Sequence, residues 1–326
     1  MISSNHIVAV LIVFLCIGCS EQPPKHSFQH TIEEDAQKPW TSETFEDTET
    51  DFTFAIISDL SGGEREGIYS EAVAKINLLD PTFVLSIGDL IEGGTKDTSQ
   101  LKKEWDSFDA RTSKLNMPFF HLGGNHDLTN PTMRKVWQNR FGPRYYHFVF
   151  NDILFLMLDS EDYTEERMIE IYEAREEAIK MINGEIEGNV EESTYSQMIE
   201  SRVGAISPTQ TEYFKTVLNQ YPDVKWTFLL MHKPLWMRED EKGLGDLEKA
   251  LADRNYSVFN GHFHSFSQRI RNGQTYTILG TTGGSQNPED KMSFDHFTLV
   301  RMTFPPTVTH LKLDGIIDEQ HLREEQ

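Results

Sequence analysis

At 326 residues, with 38% hydrophobic and 25% charged side chains, the chain is too long and too apolar to be a disordered segment, and it can bury a substantial core. Its formal net charge of -22, from 52 acidic against 30 basic residues, repels the phosphate backbone of nucleic acid and argues against a duplex partner. A phosphate-bearing substrate would need local positive charge, which bound metal cations can supply.

The start of the chain predicts an export signal rather than a part of the fold. Residues 7–18 form an apolar stretch too short to span a bilayer, and the segment from Leu15 to Cys19 resembles a bacterial lipoprotein cleavage site. Cys16 stands where such sites usually carry leucine, and no lysine or arginine precedes the stretch. We expect a signal peptide at 1–18, a lipid anchor at Cys19 and export to the bacterial cell envelope. Another export route or an uncleaved anchor are the alternatives.

Residues 19–51 are polar, rich in Glu, Thr, Gln and Pro, and show no sustained apolar period. This composition predicts a flexible linker between the anchor and the folded part. Both cysteines of the chain, Cys16 and Cys19, come before the folded part. The ligands of any metal bound in the folded part are therefore not sulfur.

From residue 52 onward, apolar strands alternate with amphipathic helices. Strands are predicted at 54–57, 83–87 and 118–122, with helices between them at 69–79 and 101–115. This alternation predicts parallel βαβ units, in which the carboxyl ends of the strands lie at one edge of the sheet.

The second half of the chain contains further strands and one unusual segment. Residues 161–200 are heavily acidic, with apolar residues at rough helical spacing. Two interpretations stay open: an exposed helical insertion without direct chemistry, or a lid that shapes the substrate site. The other predicted elements are a hairpin at 145–158 turning at Asn151 and Asp152, strands at 226–231 and 256–260, a helix at 245–252, and a mostly β segment at 265–313.

Five predicted strands each end in a group that can bind a metal ion. Ligand sites of open α/β sheets form outside the carboxyl ends of the strands. A single such residue is more often a turn or helix-capping residue, but the whole set is hard to assign to chance. The residues are Asp59, Asp89, Asn125, His232, His262 and His264.

These donor types favour a particular chemistry. Oxygen and imidazole ligands suit Zn, Mn, Fe or Mg-like ions rather than metals that bind soft thiolates. Two cations about 3.5–4 Å apart can clamp the attacking and leaving oxygens of a phosphoryl transfer. Cations this close need a carboxylate between them to offset their repulsion, and Asp89 is the natural candidate.

Five short motifs carry these residues. They read Ile57-Ser58-Asp59, Gly88-Asp89, Gly124-Asn125-His126-Asp127, Met231-His232 and Gly261-His262-Phe263-His264. Together they resemble the motifs of the calcineurin-like metallophosphoesterases, over about residues 52–313. The resemblance implies an α/β fold of two mixed β-sheets sandwiched between helices, over 52–317 with a tail at 318–326. It also implies hydrolysis of phosphoric esters by a metal-bound hydroxide at a dinuclear centre.

The resemblance assigns roles by position. It implies two divalent or trivalent metal ions, with Mn, Fe or Zn as candidates. His126 would act near the leaving oxygen as general acid or charge stabiliser, oriented by Asp127. The first metal would be held by Asp59, Asp89 and His264, and the second by Asp89, Asn125, His232 and His262.

The first motif departs from the family's pattern, which is usually Asp-x-His. Ser61 stands here in place of that histidine ligand. Three outcomes are open: Ser61 binds weakly, water or another group such as Glu92 substitutes, or only one metal is held tightly. Gly62 and Gly63 could instead bring backbone N–H groups to a substrate phosphate, as in anion-binding turns.

The sequence therefore leaves two functions open. The first is a metallophosphoesterase acting on a phosphorylated small-molecule or ester substrate, with monoesterase, diesterase and pyrophosphatase activity all open. The alternative is a non-catalytic or single-metal descendant that acts as an anchored binding protein, because Ser61 replaces the usual ligand. No nucleic-acid duplex is expected as a partner, and membrane contact is expected only through Cys19.

Overall fold

Two β-sheets lie face to face between layers of helices. The computed structural model of the chain describes residues 27–45 and 52–313. Within these residues the sheets have seven and five strands, which confirms the predicted α/β fold of two mixed sheets. The predicted signal peptide at 1–18, the lipid anchor at Cys19 and the tail at 318–326 fall outside the described residues and stay predictions.

The elements are numbered along the described chain. The strands are β1 Phe28–Gln29, β2 Thr53–Ile57, β3 Phe83–Ser86, β4 Phe119–Phe120, β5 Tyr146–Phe150, β6 Ile153–Leu158, β7 Trp226–Met231, β8 Tyr256–Asn260, β9 Ser267–Arg271, β10 Gln274–Ile278, β11 His296–Arg301 and β12 Thr307–Lys312. The helices are α1 Ile68–Leu79, α2 Thr98–Thr112, α3 Asn125–Leu128, α4 Pro131–Phe141, α5 Glu165–Ile182, α6 Thr194–Gln197, α7 Pro208–Gln220 and α8 Lys242–Ala250. None of these helices is both long and apolar enough to cross a membrane.

The smaller sheet has the order β12-β11-β2-β3-β4. Its strands β2, β3 and β4 are parallel and are joined by α1 and α2, which confirms the predicted βαβ units. The larger sheet has the order β1-β5-β6-β7-β8-β10-β9, with β6, β7, β8 and β10 parallel. The predicted β5–β6 hairpin is confirmed, and both of its turn residues, Asn151 and Asp152, have the positive φ that such tight turns require.

Alternation along the strands decides which side chains fill which layer. On β2, Phe54 and Ile56 point into the core between the two sheets, whereas Ala55 and Ile57 pack under the helices of the outer layer. Because both faces of the sheet are covered, the strand reads as a continuous apolar run. The inter-sheet core is rich in aromatic rings, and Phe54 stacks on Phe83 with 5.5 Å between ring centroids.

The segment before β2 corrects one prediction. Within the predicted flexible linker 19–51, residues 27–45 are folded against both sheets: β1 pairs antiparallel with β5 of the larger sheet, and Trp40 bridges to Phe120 in β4 of the smaller one. Trp40 and Phe45 are buried and pack with Phe28 in the inter-sheet core. The linker prediction is therefore wrong for this part, because three widely spaced aromatic residues anchor a polar segment that has no apolar period.

His121 makes stability depend on pH. Its buried ring stacks on Phe141, and its Nδ1–H donates to the Pro39 carbonyl at 3.2 Å. Burial lowers the pKa of His121 to about 3, so below its ordinary value near 6.5 the unfolded chain binds a proton that the folded chain does not. In this window the free energy of unfolding should decrease as the pH decreases, by up to about 1.4 kcal/mol per pH unit from this group.

Urea denaturation between pH 6 and pH 4 checks this expectation. His121→Gln removes the titrating ring. The free energy of unfolding of this variant should therefore decrease less steeply with decreasing pH, by the slope assigned to His121. Phe141→Leu serves as the control, because it removes packing and should lower the free energy of unfolding equally at every pH. An unchanged slope in His121→Gln would contradict the assignment.

Candidate metal centre

The loops that follow β2, β3, β4, β7 and β8 meet at one end of the sandwich. Main-chain bonds tie them in pairs, from the N–H of Asp59 to the carbonyl of Gly88 and from the N–H of Gly261 to the carbonyl of His232. Four non-glycine residues in these loops have positive φ, a conformation that costs energy and clusters at functional sites. They are Asp59, Asp89, His262 and His264.

One buried group of donors surrounds Asp89. The Nε2 atom of His232 lies 3.0 Å from Oδ2 of Asp89 and 3.1 Å from Oδ1 of Asn125. Among the described residues, Asp89, His232 and His262 each offer a donor atom, and these atoms all lie within 4.8 Å of one another. The structure thus brings together the residues predicted to hold the second metal.

Backbone carbonyls fix the two imidazoles of this group. The Nδ1–H of His232 donates to the carbonyl of Ile87 at 2.9 Å, which leaves Nε2 free to act as a ligand. The Nε2–H of His262 donates to the carbonyl of Ser201 at 2.9 Å, which leaves Nδ1 free. Such outer contacts are how proteins orient metal-binding histidines and set their tautomer.

The charges of this group fit a bound cation. Burial opposes ionisation of Asp89, but the neighbouring His232 and His126 outweigh it and hold the pKa of that carboxyl well below its ordinary value. Burial likewise opposes a proton on His232, yet Asp89 raises the pKa of His232 to about 9. A metal ion would take the place of that proton beside a carboxylate that stays ionised.

A second pair lies at the end of β2. The Nε2 atom of His264 is 3.4 Å from Oδ1 of Asp59, and its Nδ1–H donates to the carbonyl of Ser285 at 2.7 Å. The N–H of His262 donates to the Asp59 carboxylate at 2.9 Å, which joins this pair to the Asp89 group. Burial opposes a charged His264, but Asp59 outweighs it and raises the pKa of that ring to about 9.

Ser61 lies in the same loop, at the position where the resemblance predicts a histidine. Its side chain is fully buried, and within residues 27–45 and 52–313 its hydroxyl has no hydrogen-bond partner. The next residue, Gly62, has a φ of 76°, and a Cβ there would come within 3.1 Å of the His264 ring and 3.5 Å of Nε2 of His126. The turn after Ser61 therefore borders the site so closely that a side chain at Gly62 would crowd it.

His126 faces the centre from the start of α3. Its backbone N–H donates to Oδ1 of Asp89 at 2.8 Å, and its Nδ1–H donates to the carbonyl of Glu92 at 2.7 Å. The Nε2 atom is thereby left facing the cavity, 3.4 Å from Nη2 of Arg175. Burial lowers the pKa of His126, and the charge of Arg175 adds to that effect.

A sequence model of the calcineurin-like phosphoesterase family matches residues 52–266. The chain belongs to this family. It is therefore a hydrolase that acts on phosphoric ester bonds, and divalent metal ions are its implied cofactors.

A solved phosphatase structure shares the fold of this phosphoesterase. A dimetal phosphatase from Danio rerio is 13% identical, with a TM-score of 0.56 over 80% of this chain and 96% of that chain. A purple acid phosphatase from yellow lupin (Lupinus luteus) seeds is 15% identical, with a TM-score of 0.48 over 82% of this chain and 52% of that chain. No curated protein sequence matches the chain significantly. At 13% identity, the similarity to the Danio rerio phosphatase concerns the fold alone.

Asp127 has a different role from the predicted one. Its carboxylate accepts the N–H groups of Leu90 at 3.0 Å, Ile91 at 3.2 Å and Gly124 at 2.8 Å. It therefore ties the loop after β3 to the loop after β4. The prediction that Asp127 orients the ring of His126 is wrong, because the Glu92 carbonyl occupies the ring nitrogen that Asp127 would have to reach.

Glu92 is occupied by the turn that follows Asp59. Its carboxylate accepts three successive backbone N–H groups, from Gly62 at 3.2 Å, Gly63 at 3.0 Å and Glu64 at 2.7 Å. These contacts argue against Glu92 as a substitute ligand for the missing imidazole. They also mean that an internal carboxylate fills the anion-binding turn that Gly62 and Gly63 were expected to offer to substrate.

The acidic segment 161–200 forms one wall of the site. A cavity of about 600 Å³ opens over the centre, and α5 and the residues after it line one side. The same segment leads to Ser201, whose carbonyl orients His262. Of the two interpretations left open by the sequence, the structure favours the one in which the segment shapes the substrate site. A larger cavity of about 930 Å³ is lined by none of the predicted metal ligands.

Proposed function

We propose that this phosphoesterase hydrolyses phosphate esters at a centre of two metal ions. The observation that carries the proposal is the buried group of Asp89, Asn125, His232 and His262, in which backbone carbonyls have already oriented both imidazoles. Asp89 would serve both ions, with Asp59 and His264 completing the ligand set of the first. When bound, the ions supply positive charge that polarises the phosphoryl oxygens and acidifies the attacking water.

The protein's own groups do the remaining work. Nε2 of His126 faces the cavity, and in its protonated form the ring can donate from Nε2 to the oxygen of the leaving group, while the Glu92 carbonyl keeps the ring in place. Asp127 keeps the loops after β3 and β4 together, so that Asp89 and Asn125 stay within reach of one another.

A turnover assay tests the proposal. Purified protein with Mn, Zn, Fe or Mg should hydrolyse an aryl phosphate ester, and an aryl mono- and diester compared on one sample would rank the two activities. Absence of turnover with every metal would instead favour the alternative, a binding protein that keeps a metal for stability.

Ser61 governs how firmly the ion between Asp59 and His264 is held. We propose that its hydroxyl is a weak ligand there, which is supported by the burial of Oγ without a partner among the described residues. Ser61→Ala should then lower the metal content after dialysis from two ions towards one per chain. Elemental analysis measures this content directly.

Ser86→Ala is the matched control, because this serine is equally buried but its hydroxyl bonds the main chain at Phe120 and Leu122. Its metal content should equal that of the wild type. Two ions held equally firmly by Ser61→Ala would show that the hydroxyl is not a ligand. A single ion in the wild type would contradict the dinuclear centre.

A further inference from the structure

Arg175 is a buried cation with unused hydrogen-bonding capacity. It lies on α5, only 8% exposed, with Nη2 at 3.4 Å from Nε2 of His126. Its Nη1 atom has no hydrogen-bond partner in the described part of the chain. Burying a guanidinium without an anion is costly, so a charge in this position indicates that an anion binds there.

The surroundings aim this guanidinium at the reaction centre. Arg175 lines the same cavity as Asp89, Asn125 and His126. On its other side lies Gly94, where a Cβ would come within 2.5 Å of Nη1. The absence of a side chain at Gly94 therefore makes room for the guanidinium beside His126.

The face of α5 that carries Arg175 continues as an apolar surface. Ala178, Ile179 and Ile182 follow at spacings of three, four and seven residues, so they share one side of the helix. All three line the cavity, together with Val190 and Phe263. Ile182 is 66% exposed, so this end of the apolar surface is open to solvent.

We propose that Arg175 binds the phosphoryl group of the substrate and that this apolar surface accepts the leaving group. The inference rests on the proposed function and names its substrate class: phosphate monoesters of aromatic or other apolar alcohols. A guanidinium in the cavity lining beside His126 adds positive charge there, which suits the doubly charged end of a monoester better than the singly charged phosphate of a diester. In a chain of net charge −22, such a cation would add to the local positive charge that the metal ions supply to an anionic substrate.

The first test measures phosphate binding rather than turnover. Calorimetric titration of the metal-loaded protein with inorganic phosphate should show Arg175→Gln binding about 10–100-fold more weakly than the wild type, with an unchanged metal content. Arg175→Lys should recover part of the affinity. Lys180→Gln removes the same charge from an exposed position on the same helix and should bind like the wild type.

The second test concerns the leaving group. Ile179→Asn and Ile182→Asn should each raise KM for phenyl phosphate by about tenfold, without changing the dissociation constant for inorganic phosphate. Ile186→Asn is the control, because Ile186 is a partly exposed apolar residue that does not line the cavity. If KM for phenyl phosphate were the same in Ile179→Asn, Ile182→Asn and the control Ile186→Asn, the assignment of the apolar surface would be overturned.

The results of these tests distinguish a failure of the role proposed for Arg175 from a failure of the proposed function. Wild-type affinity for phosphate in Arg175→Gln would overturn the role of Arg175 and leave the proposed function standing. A wild-type protein that turns over no ester and binds no phosphate with any metal would overturn both. A diester hydrolysed faster than its monoester would overturn the substrate class alone.

Discussion

Asp89→Asn is expected to lower turnover of an aryl phosphate by about a thousandfold or more and to empty the centre of tightly bound metal. The carboxylate of Asp89 lies against Nε2 of His232, accepts the N–H of His126 and is almost completely buried. An amide of the same shape keeps the packing but loses the charge that holds the cations. Steady-state kinetics and metal content, measured on the same sample, check both effects.

Asp106→Asn provides the matched control. This aspartate is exposed on α2, where it pairs with Lys102, so the same chemical change should leave both readouts at wild-type values. If Asp89→Asn retained its metal and its rate, the centre described above could not be the catalytic one.

His126→Gln is expected to reduce kcat by about 10²–10⁴-fold while the metal content stays unchanged. None of the donor pairs around Asp89 or Asp59 involves the His126 ring, and Nε2 of that ring faces the cavity. The loss should be larger for phenyl phosphate than for 4-nitrophenyl phosphate, because the nitrophenolate leaves readily without a proton. Single-turnover kinetics with both esters measure this difference.

His310→Gln is the control for this substitution. His310 lies on β12, where its ring bonds the hydroxyl of Thr298, and its loss should leave kcat unchanged. An equal loss for both esters in His126→Gln would contradict proton transfer to the leaving oxygen and would reduce His126 to a charge stabiliser.

The ligands could be predicted from the sequence because of where strands end. Asp59, Asp89 and Asn125 follow three parallel strands of one sheet, and the ends of such strands meet at one edge. His232 and His262 follow strands of the other sheet, so their approach to Asp89 depends on how the two sheets pack. The strand pattern grouped all five strand ends as one ligand set, and the family resemblance added that the strands belong to two sheets.

The contacts of individual side chains could not be predicted in this way. Which donors the carboxylate of Asp127 meets depends on the exact path of the turn after β4, and the motif alone suggested the neighbouring His126. Arg175 was missed for another reason, since it lies far from every motif within a segment that looks like a solvated charge run. The sequence feature that could have identified Arg175 is the apolar helix face that it shares with Ala178, Ile179 and Ile182.

Two of the helices that the sequence analysis missed have clear signals in the sequence. Both α4 and α7 begin with proline after a capping residue, with Asn130 accepting the N–H of Met133 and Ser207 that of Gln210. A polar cap followed by proline is a standard helix start. Both helices also carry apolar residues at helical spacing, such as Met133 and Trp137 in α4 and Phe214 and Leu218 in α7, so the periodic signal was present as well.

The most direct test of a metal-dependent phosphoesterase is a strip-and-reload measurement on the wild-type protein. A chelator should abolish hydrolysis of phenyl phosphate, and Mn, Fe or Zn added back should restore it in proportion to the metal bound, with two ions per chain at full activity. Turnover that persists in the metal-free protein, or that no metal restores, would contradict the account.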